Sequence, residues 1–340
     1  MSRLRVAVVG ATGAVGEEMM RVLESRRFPV SELVPLASER SQGKTVTFHG
    51  EKVKVQVLGK DSFQRIDLAL FSAGAGISRE MAPFAVKDGA VVVDNSSAFR
   101  MDPETPLVVP EVNADMIPKH KGIIANPNCS TIILVVGITP IHKLSPIQRI
   151  VASTYQAASG AGAKGMDALE RELDGENDVS TAPLNTKANG SPFPHRLAGN
   201  LIPRIDVVQD NGYTKEEMKM VLETRKIMGL PPIPISATCV RVPVERAHSE
   251  SVQIRTKDPL TLDQIRDAIR SAPGVQLKDS PRDDVYPMPL VVAGEDDVFV
   301  GRLRKHPDEP STYDLWIVGD QIRKGAALNA VQIAEKLFCA

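Results

Sequence analysis

Cys129 stands in the run Ile123-Ile124-Ala125-Asn126-Pro127-Asn128-Cys129-Ser130-Thr131, followed at once by the apolar stretch Ile132 to Val136. Apolar residues running into an Asn-Pro-Asn turn read as a strand leaving a sheet, and Asn128 then takes the N-cap position of the next helix. Cys129 would open that helix. A thiol in the first turn faces unpaired backbone N–H groups and the positive end of the helix dipole, which favour thiolate over thiol. The chemistry this suits is nucleophilic attack and covalent catalysis. The bland alternative is a buried, inert cysteine, and the polar turn around Cys129 weighs against it.

Other residues have the types to assist. Arg241 alternates with apolar neighbours on the predicted strand Ser236 to Val244, and an arginine directed inward there needs an anionic partner. His248 lies seven residues further on and has the one side chain that titrates near neutrality unaided. Gln156 closes the predicted strand Gln148 to Tyr155 and leads into Ala157-Ala158-Ser159-Gly160-Ala161-Gly162, whose small residues allow ligands to approach the backbone. Further along, Thr214 caps a helix with Glu217 completing a capping box, and Glu216 and Lys219, three apart, share one face as an ion pair.

These groups need a frame. Leu4 to Val9 is a strand, Gly10-Ala11-Thr12-Gly13-Ala14-Val15-Gly16 a glycine loop, and a helix continues from about Glu17 to Arg26. Strand, glycine loop and helix in that order make a dinucleotide site, in which glycines admit the diphosphate and the helix N-terminus offers it N–H donors. The next strand, Leu33 to Ala37, ends in Ser38-Glu39-Arg40-Ser41 rather than in a clean acidic residue. Serines and an arginine suit a 2′-phosphate, so NADP is expected over NAD, with Glu39 facing solvent. Two further α/β units carry loops at strand ends, Ser72 to Gly76 with Ser72 and Gly74, and Asn95 to Arg100. Ligands bind at such ends in open α/β sheets, which makes Arg100 a site candidate.

Beyond Ser145-Pro146 the strands are longer and few are joined at βαβ spacing, so a second domain with a mixed or antiparallel sheet is expected. The stretch from Asn177 to Asn200 reads as a long loop, and Ile322 to Phe338 as a helix. The expected fold class is therefore α/β, a Rossmann-type NADP-binding domain plus an α+β domain with a mixed sheet, the first ending at 128 and the second beginning at 129. With 340 residues two domains are the prior, and 41 basic against 42 acidic residues give a net charge of −1, which argues against a chain built to hold nucleic acid or an anionic membrane. The three cysteines are far apart and form no Cys-x-x-Cys pair, so no disulfide framework or metal site is expected and a cytoplasmic setting fits best. The N-terminus runs straight into a strand and reads as neither a signal peptide nor a membrane anchor.

Asn126-Pro127-Asn128-Cys129-Ser130-Thr131 resembles the active-site signature of the aspartate-semialdehyde dehydrogenases, and the resemblance extends from the glycine loop to the C-terminal helix. It implies reductive dephosphorylation of L-aspartyl-4-phosphate by NADPH through a Cys129 thioester, in the biosynthesis of lysine, threonine, methionine and, in bacteria, diaminopimelate. It implies His248 as acid/base catalyst, Asn128 and Gln156 beside the nucleophile, and Gln156 in contact with substrate. Arg241 would hold the substrate α-carboxylate, and Arg100 with Lys219 and its partner Glu216 would hold the phosphate. Gly10, Thr12, Gly13, Ala14, Val15, Ser38, Arg40, Ser41, Ser72, Gly74, Ser159, Gly160 and Gln321 would line the cofactor, Gln321 standing where many members have Asn at the nicotinamide. The resemblance further implies that 320–340 packs back on 1–128 and completes the dinucleotide domain, that 129–319 is the catalytic and dimerisation domain of a homodimer or homotetramer, and that inorganic phosphate is the second small-molecule partner. The rival N-acetyl-glutamyl-phosphate reductases usually carry Pro-Gly-Cys where this chain has Pro127-Asn128-Cys129, and glyceraldehyde-3-phosphate dehydrogenases a Ser-Cys-Thr-Thr run that is absent here. A non-catalytic NADP-binding homologue should lack the nucleophile or its His, and this chain keeps both.

Overall fold

Continuous apolar runs such as Leu4–Val9 and Leu68–Phe71 cannot leave either face in water, and they form the buried strands of a parallel sheet. The computed structural model describes residues 3–174 and 190–339, so the part of the expected long loop from 177 to 189 lies outside the described residues. Two compact units are present: Met1–Cys129 with Gly325–Ala340, and Ser130–Lys324.

The first unit runs β1 (Leu4–Val9), α1 (Ala14–Ser25), β2 (Val30–Ala37), the hairpin β3 (Thr45–Phe48) and β4 (Glu51–Lys54), β5 (Gln56–Val57), β6 (Leu68–Phe71), α2 (Ala75–Lys87), β7 (Val91–Asp94), α3 (Pro110–Asn113) and β8 (Ile123–Ala125). Its main sheet has the order β5-β2-β1-β6-β7-β8 and every pairing is parallel. Helix α1 starts at Ala14, three residues before the expected Glu17. The cause is Gly16, which belongs to the helix rather than to the loop. A Cβ there would collide with the Gly10 carbonyl oxygen, so the residue permits the helix to pack against the turn.

Helix α4 (Cys129–Leu144) opens on the last residue of the first unit's long segment and continues in the second, where it is buried from Ser130 to Ile141, as an all-round apolar helix must be. After it come β9 (Ile147–Gln156), α5 (Ala163–Leu173), α6 (Lys215–Met228), β10 (Ile235–Arg241), β11 (His248–Thr256), α7 (Leu262–Ser271), β12 (Val275–Leu277), α8 (Pro289–Val292), β13 (Val298–Lys305) and β14 (Thr312–Gly319). The sheet order is β10-β9-β11-β14-β13-β12, with β10/β9 and β12/β13 parallel and the other pairs antiparallel. This is the mixed sheet expected from the long strands. Helix α4 presses on one face of it: Cβ atoms on Gly319 and Gly137 would lie 2.8 Å from Ile133 and 2.7 Å from Ile317.

The expected C-terminal helix is broken. A π-helical turn, Arg323–Ala327, precedes α9 (Leu328–Phe338), whose Leu328, Val331 and Ala334 join Met19, Met20 and Leu23 of α1 in the first unit's core. Single π-turns inside helices mark places where something displaces the regular ladder, and here Gly325 lies against Cys129.

Candidate active site

Strand β8 delivers Asn126, Pro127 and Asn128, all buried, and α4 opens at Cys129, which is half-buried. The loop is held by side-chain amides. Asn126 Nδ2 donates to Asn95 Oδ1 (2.7 Å) and to the Ala326 carbonyl (3.2 Å), while its Oδ1 accepts from Asn329 Nδ2 (2.6 Å). Arg100, itself buried, donates from Nε to the Asn126 carbonyl and from Nη2 to the Asn95 carbonyl, both at 2.9 Å. Arg100 is therefore fixed at the base of the loop that presents the thiol. The π-turn closes on the same place, since a Cβ on Gly325 would lie 2.9 Å from Cys129 Cβ.

At the same rim of the parallel sheet, where β1 ends, Gly10 has φ +87°, and a Cβ there would lie 2.6 Å from the Ser72 carbonyl oxygen. Gly13 is the N-cap of α1 and offers no side-chain cap, which leaves the first-turn N–H groups, including those of Ala14 and Val15, to an outside acceptor. A helix start bare of side chains and a loop that no Cβ could enter fit a diphosphate. Thr12 Oγ1 lies 3.1 Å from Ser41 Oγ, which ties the glycine loop to the end of β2. Ser38, Glu39 and Arg40 are exposed beside it, and Gly74, at φ +88°, caps α2.

The second unit gathers its candidates by strand register. Arg241 pairs with Gln156 across β10 and β9, and Ser249 pairs with Tyr155 across β11 and β9, so His248 continues the row beside Gln156. Gly319 stands opposite His248 on β14. Arg241, Gln156 and His248 thus form one rung, and Cys239, Thr154 and Glu250 the next rung on the same face, two residues away. The expected strand Gln148 to Tyr155 runs on through Gln156 as β9, and β11 begins at His248. Bonds from Ala158 N–H to the Val244 carbonyl (2.7 Å) and from Ser159 N–H to the Glu245 carbonyl (3.1 Å) stitch the flanking turns together.

Each member of the rung is buried. Gln156 Nε2 donates to Glu216 Oε1 (3.3 Å), and its Oε1 accepts from Thr154 Oγ1 (3.0 Å). Thr214 and Glu217 form the expected capping box, which starts α6 so that Lys219 meets Glu216 (2.8 Å); Lys219 also meets Asp206 (3.1 Å). Burial pulls the Lys219 ammonium toward neutrality, but the two carboxylates outweigh it and hold its pKa above the usual lysine value. Arg241 Nη1 donates to the Ala157 carbonyl. A Cβ on Gly160 would lie 2.6 Å from that Nη1 and 3.3 Å from His248 Nε2, so only glycine leaves the space above this pair open. His248 Nδ1 accepts from Ala157 N–H (3.0 Å), which puts the proton of the neutral ring on Nε2. Complete burial, and after it the Arg241 charge, lower the His248 pKa well below the ordinary value and keep the ring neutral. Among the described residues its Nε2 has no hydrogen-bond partner.

Residues 5–120 match the family description "Semialdehyde dehydrogenase, NAD binding domain", and residues 138–324 match "Semialdehyde dehydrogenase, dimerisation domain". An aspartate-semialdehyde dehydrogenase of Aquifex aeolicus is 53% identical over 336 residues, covering 98% of this chain and 97% of that one. That of Bacillus subtilis is 49% identical over 336 residues, with the same coverage of each chain. The chain belongs to the aspartate-semialdehyde dehydrogenase family. Among solved structures, aspartate semialdehyde dehydrogenase II of Vibrio cholerae complexed with ASA superposes with a TM-score of 0.91 at 46% identity, over 99% of this chain and 98% of that one.

As a member of this family the chain is an oxidoreductase of amino-acid biosynthesis. Several residues around the Cys129 loop and the Arg241 rung escape a reading of the sequence. Asn329 lies 203 residues from the Asn126 it bonds, and its only sequence signal is an Asn inside an otherwise apolar helical run. Glu250, fully buried two residues after His248, looks in sequence like any polar strand residue. Among the described residues no cluster of His, Cys, Asp and Glu could hold a metal ion, and no helix is long and apolar enough to cross a membrane.

Proposed function

We propose that this enzyme converts L-aspartyl-4-phosphate to L-aspartate 4-semialdehyde with NADPH, reversibly, through a thioester on Cys129. The observation that carries the reading is the buried rung of Arg241, Gln156 and His248, which combines a fixed cation, an amide and a neutral ring with an unused Nε2–H. An anionic, short-chain substrate with a reacting carbonyl is what such a set accommodates.

The Cys129 thiolate, favoured by the N-terminus of α4, attacks the acyl carbon, and the C–O bond to inorganic phosphate breaks. Arg241 binds the α-carboxylate, and Arg100 and Lys219 bind the departing phosphate. NADPH, when bound, supplies the hydride that the thioester carbon accepts. His248 Nε2–H then hydrogen-bonds the oxyanion of the thiohemiacetal, and cleavage of the C–S bond releases the aldehyde and restores the thiolate. The dinucleotide would rest on Gly10, Thr12, Gly13, Ala14 and Val15, with Ser38, Arg40 and Ser41 at the 2′-phosphate and Ser72, Gly74, Ser159 and Gly160 along its length.

In this reading the first unit is the dinucleotide domain and the second the catalytic and dimerisation domain of a cytoplasmic homo-oligomer. The family description of the second unit supports the assembly, and cysteines that form no disulfide support the compartment. The deciding assay is reduction of NADP in the presence of aspartate semialdehyde and inorganic phosphate. Phosphate-dependent turnover is expected. Turnover with N-acetyl-glutamate semialdehyde instead would assign the chain to the sister activity.

A further inference from the structure

Arg241 is buried at the end of β10, the edge strand of its sheet, and contacts of three kinds hold it there. Its backbone pairs with Ile202: Arg241 N–H donates to the Ile202 carbonyl (2.9 Å), and Ile202 N–H donates to the Arg241 carbonyl (3.0 Å). Its Nη1 donates to the Ala157 carbonyl. Its guanidinium carbon lies over the ring of Phe193, 5.8 Å from the centroid. Phe193 is itself buried, in a small apolar cluster with Ala158, Leu169, Leu197 and Ile202.

The segment that carries Phe193 is tied down at two points. On α5, Glu172 is buried, and its Oε2 accepts from the N–H groups of Leu197 (2.8 Å) and Ala198 (2.9 Å). The Glu172 carbonyl accepts from Arg196 Nη2 (3.1 Å). A buried carboxylate thus fastens the middle of the segment to α5, and the Ile202 pairing fastens its end to Arg241 itself. The ring of Phe193 is placed by the same stretch of chain that places the Arg241 backbone.

The kind of contact matters for what the cation can do. Lys219 is held by Glu216 and Asp206, two carboxylates that compete with any further anion for its charge. An aromatic ring attracts a cation through its quadrupole and takes up no N–H donor. It restrains a guanidinium by its flat face and leaves the charge and the in-plane donors for a carboxylate. Leucine or methionine at 193 would fill the space without that attraction.

We infer that Phe193 is a positioning residue, whose ring holds the Arg241 guanidinium in the orientation in which it takes the substrate carboxylate. The inference rests on the aspartate-semialdehyde dehydrogenase reading for that carboxylate, but the contact between ring and guanidinium stands apart from it.

The experiment uses the full-length enzyme and the variants Phe193→Leu, Phe193→Tyr, Arg241→Gln and the double variant Phe193→Leu/Arg241→Gln. Phe193→Leu is expected to lower kcat/KM for aspartate semialdehyde by roughly 5- to 30-fold, the scale of a desolvated cation–π contact. The KM values for phosphate and NADP should stay within about twofold of the parent, since only the interaction with the carboxylate is lost. Phe193→Tyr keeps the ring face and should remain within about threefold of the parent. In the Arg241→Gln background, with enzyme concentration raised to read the residual rate, Phe193→Leu should cost less than about twofold, because the ring then has no cation to hold. Parental kcat/KM in Phe193→Leu, an equal loss in both backgrounds, or a loss shared by phosphate and NADP overturns the inference. If Phe193→Leu does not fold, Phe193→Met carries the same expectations, and failure of both to fold counts against a positioning role. If the parent enzyme itself lacks activity on aspartate semialdehyde, the functional reading fails, while urea unfolding still decides whether the ring holds the guanidinium. Phe193→Leu should lower the urea midpoint more with Arg241 present than in the Arg241→Gln background, and equal drops overturn the inference.

Discussion

The two units handle charge and reactivity by different means. The first uses backbone: α1 starts bare at Ala14 beside a glycine loop, and α4 starts at Cys129 on a loop fastened by amides. The second uses buried side chains set in rungs on a sheet. Their cysteines differ accordingly. Cys129, half-buried, sits at a helix start, whereas Cys239 is fully buried on β10, where its thiol is pushed far up by burial and then by the charge of Glu216. The proposed reaction makes the same side chain a nucleophile in one setting and an inert core residue in the other, because burial among carboxylates disfavours the thiolate that a helix start favours.

The largest effect expected is on Cys129 itself. Cys129→Ser should lower turnover by roughly 10³-fold or more, since an alkoxide is not accessible near neutrality in a site built for a thiolate. Iodoacetamide should label Cys129 ahead of Cys239 and Cys339, and peptide mapping by mass spectrometry reads the order. Cys239→Ala should keep turnover. Equal labelling of Cys129 and Cys239 would break the comparison at its centre.

Next comes the division of the substrate's two anionic ends. Arg241 has Nη1 already committed to the Ala157 carbonyl, and in the proposed reaction it would hold the carboxylate and through it place the acyl carbon. Arg241→Lys keeps the charge, loses the planar fork and should lower kcat by roughly 100-fold even at saturating substrate. Arg100→Ala should instead raise the KM for phosphate in the phosphorylating direction. Separate KM values for semialdehyde and phosphate in both variants test this. An effect of Arg100→Ala on the semialdehyde alone, with Arg241→Lys acting on phosphate alone, would reverse the assignment.

A smaller effect tests the backbone-built cradle. Arg40 is exposed beside the Thr12–Ser41 contact, a side chain added to a site made mostly of N–H groups. Arg40→Ala should weaken NADP binding by about 1.5–3 kcal/mol, the range for hydrogen bonds to charged groups, and leave NAD nearly unchanged. Equal losses for the two cofactors, measured by titration, would make Arg40 structural.

Legibility in the sequence divides along the same line. Backbone-built features announce themselves locally: the apolar β1, the glycines after it and the Asn-Pro-Asn turn before Cys129 each act within a few residues of their sequence signal. Side-chain chemistry assembled by register does not. Arg241 and His248 are marked by type, but their common rung with Gln156 depends on β9 pairing in parallel with β10 and antiparallel with β11. Pro243, Glu245 and Arg246 interrupt the alternation just where the chain turns into β11, which hides the strand start at His248. The π-turn at Arg323–Ala327 keeps a helical apolar pattern, so periodicity cannot reveal it.

Glu250 carries the smallest expected effect on turnover, since its test reads stability, and the sharpest contrast with Cys129. It lies in the next rung on the same face as Arg241, Gln156 and His248, fully buried, with neither carboxylate oxygen hydrogen-bonded among the described residues. Burial raises its pKa well above the usual 4.5, so the folded chain keeps its proton where the unfolded chain releases it. The contribution of this group to stability is complete below about 4.5 and is lost as pH rises toward the folded pKa, by up to about 1.4 kcal/mol per pH unit. His248 acts in the opposite sense: its folded pKa lies below 6.5, so its contribution is complete above that value and is lost as pH falls. Glu250→Gln removes the alkaline loss and leaves the acid loss in place. The buried amide adds an offset that does not vary with pH, so the slope is the quantity to read. Urea unfolding at several pH values between about 5 and 8, the span in which such a slope develops, should show the variant gaining on the parent as pH rises. A difference that stays constant across that range would mean that Glu250 is ionised in the folded protein, and that the rung next to the site carries a charge rather than a neutral acid.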